Sequence, residues 1–103
     1  MEPMTDLESL RSRLTEQEAL CNSLNEQLRE AQALAVAKQF EVTKLNHAGF
    51  FQRSFGNLRK KQDAAWAEYR SAVMAADGLK LELAAQKAQL ERLQKEYDAL
   101  ISG

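Results

Sequence analysis

Along residues 7–35 the apolar positions recur at alternating intervals of three and four: Leu7, Leu10, Leu14, Cys21, Leu24, Leu28, Ala31 and Ala35, with Gln17 the one polar member before Lys38. This is the a/d seam of a heptad, whose period of about 3.5 residues keeps one narrow stripe on one side of an α-helix and turns it toward a partner helix. A second seam with the same alternation runs through Ala65, Tyr69, Ala72, Ala76, Leu79, Leu83, Gln86, Leu90, Leu93, Tyr97 and Leu100, with Gln86 as its polar exception. Traced backwards, its frame takes in Leu58, Phe55, Phe51 and Ala48. Leu10, Leu14, Leu24, Leu28, Leu83, Leu90, Leu93 and Tyr97 are the candidate self-association residues of the two stripes. A buried amide at a seam position such as Gln17 often fixes register or oligomer number at some cost in stability, and near a fraying end it is simply tolerated.

The two seams do not share a phase. Ala35 and Ala48 both take a positions, yet they lie 13 residues apart where two heptads require 14, so a rigid continuation swings the stripe by about a quarter turn. Either one helix changes its winding there, with Val36, Phe40, His47 and Phe51 bridging the stripes, or the chain stops and turns. Asn46, Gly49, Gly56 and Asn57 form the densest set of helix weakeners in the chain, each interior glycine costing about 1 kcal/mol relative to alanine. The expected fold is therefore all-α: two long helices forming a coiled-coil helical hairpin that dimerises into a bundle. The alternative is one continuous helix in a parallel coiled-coil dimer, which the pairs Arg13 with Glu18 and Glu82 with Lys87 favour through attraction between g and e positions. In the hairpin, a single helical domain over 1–103 holds a helix over about 5–46, a basic aromatic hinge over about 47–57 and a second helix over about 57–101. Thr5 and Glu8 fit a capping box at the first helix start, and Asp77 with Gly78 marks a candidate kink in the second.

Composition sharpens this picture. At 103 residues the chain has only a modest capacity to bury a core of its own, which makes association with a partner or a second copy a natural solution. One proline, four glycines and an abundance of alanine, leucine, glutamate, glutamine, lysine and arginine are the composition of long helices. The net charge of −1 hides an uneven distribution: residues 47–62 hold Arg53, Arg59, Lys60 and Lys61 and no acid. The overall balance excludes a protein that coats nucleic acid along its whole length, since that task needs broad phosphate neutralisation. The acidic MEPMTDLE start and the lack of an apolar run near the 18 or so residues of a bilayer span point to a cytoplasmic protein.

Candidate chemistry is sparse. A single cysteine, Cys21, with no cation near it in sequence reads as a small buried apolar group, and a lone His47 completes no metal ligand set. There is no nucleophile elbow and no glycine-rich phosphate loop, so no catalysis, cofactor or metal is expected. Trp66, at e beside the second seam, either covers the stripe or anchors an interface. The stretch FFQRSFGNLRKK, residues 50–61, stands apart. Its aromatics fill the wide part of a bundle near the hairpin tip, or, with its cations, they make a contact surface. Phe50, Phe51, Arg53, Phe55, Arg59, Lys60 and Lys61 are the candidate partner-binding residues, suited to an acidic protein, to a phosphate backbone with stacked bases, or to anionic lipid. Docking a protein asks least of so small a footprint.

The runs ESLRSRLTEQEAL, NEQLREAQAL and AAQKAQLERLQKEYDAL resemble the small coiled-coil proteins encoded in accessory regions of tailed bacteriophages and prophages. The resemblance covers the helical ends. It implies a small non-enzymatic protein that associates with itself, as a dimer first of all, and with a host or virion protein. The leading functional expectation is thus a self-associating interaction protein that occupies a partner's surface. A nucleic-acid-binding accessory protein using residues 50–61, and a purely structural assembly scaffold, are the two alternatives.

Overall fold

The computed structural model describes the backbone of residues 3–51 and 56–103 and the side chains of residues 6–47 and 58–103. They form two helices, α1 (Pro3–Phe51, 49 residues) and α2 (Gly56–Ser102, 47 residues). The residues divide into two compact units, one of Met1–Glu26 with Lys80–Gly103 and one of Gln27–Leu79. Each unit is a stretch of α1 packed antiparallel on a stretch of α2, the all-α hairpin arrangement that the paired seams lead one to expect.

In the first unit Leu10 and Leu14 cluster with Leu93, and Leu90 and Tyr97 pack against them. Farther along α1, Gln17 reaches Gln86, so advancing on one helix means retreating on the other. The second unit repeats the relation: Lys38 meets Glu68, and beyond it Gln62 meets the carbonyl of Leu45. Buried positions follow the expected frames closely. Leu10, Leu14, Cys21, Leu24, Leu28 and Val42 are buried on α1, and Ala65, Ala72, Ala76, Leu83 and Leu93 on α2. Among the described residues no side chain is sealed below 2% exposure. Two helices alone cannot surround a residue, so every seam position keeps an open edge.

The helices differ from the sequence expectation at their ends. Residues 47–51, assigned above to a hinge, continue α1, and Gly56 and Asn57 open α2; residues 52–55 lie outside the described residues. Gly49 falls within the last turn of α1 and Gly56 is the first residue of α2. At such terminal positions a glycine interrupts few intrahelical hydrogen bonds, so its cost is smaller than in an interior. The missing residue between the seams also finds its explanation. The α1 frame runs on through Lys38, Val42 and Leu45, at least partly buried in turn, and a new helix begins with its own phase. Val36 and Phe40 do not bridge the stripes: they are 52% and 71% exposed.

At the other extremity Pro3 opens α1, where its missing N–H is one of the amides left unpaired anyway. Asp6 lies in the first turn and complements the positive helix end. Thr5 stands inside the helix rather than at its cap, and its side chain lies outside the described residues. α2 passes unbroken through Asp77 and Gly78; both face solvent, so neither disturbs the seam. Leu100 leaves the second seam early, at 49% exposure.

Candidate interaction surfaces

The polar seam positions meet partners. Gln17 Nε2 donates to Gln86 Oε1 at 2.8 Å and to the Gln86 backbone carbonyl at 2.9 Å, while Gln86 Nε2 donates to Glu82 Oε1 at 3.1 Å. A carboxylate only accepts, so Glu82 turns the Gln86 amide with its NH2 toward itself and its oxygen toward α1. Gln17 must then present nitrogen. Two separately recognisable irregularities of the sequence thus form one polar layer in the leucine stripe, and a slip of one heptad would strand both amides against leucines.

In the second unit Lys38 occupies a d position with its ammonium 3.0 Å from Glu68 and 3.7 Å from Glu41. The hydrogen bond to Glu68, followed by the negative charges of Glu41 and Glu68, raises its pKa above the ordinary lysine range. Lysine therefore stays protonated here, and what the pairing adds to stability is lost only as pH rises past that range. One heptad farther along α1, Gln62 Nε2 donates to the Leu45 carbonyl at 3.1 Å.

The named seam residues Leu10, Leu14, Leu24, Leu28, Leu83 and Leu93 are buried, and Leu90 and Tyr97 are partly buried. Their burial is achieved within the chain. Cys21 is buried in the seam as a free thiol, while His47 is exposed on α1 rather than at a turn. Among the described residues there is no cluster of three or more His, Cys, Asp or Glu placed to hold a metal ion, and no helix long and apolar enough to cross a membrane.

Of the basic aromatic stretch, Arg59, Lys60 and Lys61 are exposed in the opening turns of α2. Phe50 and Phe51 belong to the last turn of α1, but their side chains, together with Arg53 and Phe55, lie outside the described residues. The first turn of α2 contains no acid, so the three cations add to the positive end of the helix dipole instead of being offset. One turn on, Trp66 remains 44% exposed and leans against Tyr69 with ring centroids 5.8 Å apart at 58°. Asp63, Trp66, Ala67 and Arg70 line an open cleft. Arg59, seven residues before Trp66, shares its helix face, while Lys60 and Lys61 turn to other sides of α2.

A second surface lies on the outward side of α1. Val36, Gln39, Phe40 and Thr43 line a shallow apolar groove. The sequence carries a signal for it: between Glu30 and Glu41 the only charge is Lys38, which the seam takes inward, so the outer positions Ala33, Val36, Ala37 and Phe40 form an uncharged face on a chain that is 28% charged. A hollow in the first unit is lined by Leu7, Glu8, Arg11, Tyr97 and Ile101.

Set beside known proteins, the chain matches no family model, no curated protein and no solved structure.

Proposed function

We propose that this chain is a non-enzymatic helical-hairpin interaction protein of the cytoplasm, which associates with itself and docks on an acidic protein partner. Its action is stoichiometric occupancy of a surface, as the resemblance to small phage and prophage coiled-coil proteins implies. The observation that carries this reading is the exposed set of Arg59, Lys60 and Lys61 around the start of α2, with Arg59 on the same helix face as the half-open Trp66 two turns on. Three cations at a positive helix end, uncompensated by an acid in the first turn, make a local field that steers a negatively charged surface. The indole supplies the apolar area on which interfaces concentrate their energy.

The test is capture of the partner by the whole protein, compared with a variant carrying Arg59→Glu, Lys60→Glu and Lys61→Glu. Retention at fixed stoichiometry by the first and loss by the second, with helical content unchanged, supports the reading; equal retention refutes it. Nucleic acid is the second reading, because an aromatic ring beside cations also grips single strands. Binding of a fluorescent oligonucleotide that weakens steeply with added salt and vanishes in the same variant would select it over the protein partner.

A further inference from the structure

We infer that the outward face of α1 around Phe40 is the self-association surface, and that its occupant is the same face of a second copy, packed antiparallel about a two-fold axis near Ala37. This rests on the reading of the chain as self-associating and names the surface responsible. All the residues involved belong to the Gln27–Leu79 unit.

Shape is the first argument. Phe40 is 71% exposed and Val36 52%, although smaller side chains such as Ala65, Ala72 and Ala76 are buried in the same unit. On a helix, positions three, four and seven apart share a face, so Ala33, Val36, Ala37 and Phe40 form one outward strip. Its N-terminal half is small and its C-terminal half carries the ring. A two-fold antiparallel pairing seats each Phe40 on the notch between Ala33 and Ala37 of the other copy, large against small. A parallel pairing would place ring on ring and leave the alanines facing a gap.

Charge is the second argument. The strip ends at Glu30 on one side and Lys44 on the other, at equivalent outer positions and both exposed, and Arg29, which shares the Glu30 end, already has a partner. Antiparallel symmetry puts Glu30 of each copy beside Lys44 of the other, twice per dimer. A parallel pairing sets Glu30 against Glu30 and Lys44 against Lys44. Such an isologous contact closes as a dimer rather than growing into a fibre. The patch is smaller than a standard interface, which buries about 800 Å² per partner, so the dimer is a weak one whose population follows concentration.

Sedimentation equilibrium of the full chain over a range of concentrations tests this. A concentration-dependent dimer is expected, with Phe40→Glu raising its Kd by about tenfold or more, in keeping with loss of a central aromatic anchor. Glu30→Lys and Lys44→Glu should each weaken it by about threefold to fivefold, and the two together should restore it. Because all three positions are exposed, circular dichroism should show undiminished helix in every variant. A dimer indifferent to Phe40→Glu, or a charge-reversed double variant no tighter than the singles, overturns this surface while leaving self-association standing. A chain monomeric throughout overturns both.

Discussion

The two units are built from the same pair of helices and the same seam spacing, yet α2 fills the seam with leucines in one and with alanines in the other. In the Met1–Glu26 and Lys80–Gly103 unit the buried seam is mostly leucine, with Leu10, Leu14, Leu24, Leu83 and Leu93, while Leu20, Leu81, Leu100 and Ile101 stand outside. In the Gln27–Leu79 unit Ala65, Ala72 and Ala76 are buried on α2, with Leu28 and Val42 on α1, while Leu34, Val36, Phe40, Trp66 and Met74 stand outside. A fully buried leucine contributes about 1.5–3 kcal/mol, whereas each further buried CH2 adds about 0.8, so an alanine seam gains much less from closure. The lesson is that one repeat can be closed with different amounts of apolar volume: leucines on α2 in the first unit, alanines on α2 in the second.

The comparison breaks most visibly if side-chain volume is moved between the units. Leu93→Ala, in the first, should cost about 2–3 kcal/mol in urea denaturation, since the residue is 4% exposed and its neighbours can only partly collapse into the space. Ala72→Leu, in the second, should also destabilise, by about 1–3 kcal/mol, because a branched side chain must be forced between helices that meet there through small residues. If Ala72→Leu instead stabilised the chain, the close alanine packing assigned to that unit would be wrong.

A smaller effect is expected at the polar layer. Gln17→Leu alone should cost about 1 kcal/mol, because Gln86 Oε1 loses its donor while still partly buried. Replacing both glutamines by leucine should recover that loss and more, while loosening register; broadened or doubled resonances from the flanking leucines would report the slip.

The smallest change is a gain. A Cβ added at Gly78 meets nothing within 4 Å, and the residue lies inside α2, so Gly78→Ala should raise stability by about 0.5–1 kcal/mol. A loss on this substitution would mean that α2 bends at that point.

Much of this fold was legible because a heptad stripe is a direct consequence of helix geometry. The frames through Leu10 and Leu14 and through Leu83 and Leu93 name the buried positions without any tertiary information. What did not follow was the partner of each stripe, since a seam looks the same whether it closes on its own chain or on a copy. Gln17 and Gln86 held that information: each is the polar exception of its seam, and pairing the two exceptions gives the antiparallel register. The helix ends were misplaced because the weakness of Gly49 and Gly56 was weighed as interior, whereas both lie in terminal turns. Of the interaction surfaces, Arg59, Lys60 and Lys61 stood out by charge alone. The Phe40 face did not, since its residues belong to neither seam and carry no charge.

The central claim is that the two seams close on each other within one chain, with Leu10 and Leu14 against Leu93. Methyl NOEs measured on uniformly labelled protein and on a mixture of labelled and unlabelled chains test it directly. Contacts from Leu10 and Leu14 to Leu93 should appear in the uniform sample and be absent from the spectrum filtered for intermolecular contacts. Intermolecular Leu10 to Leu10 contacts, the signature of parallel pairing between copies, would contradict the account.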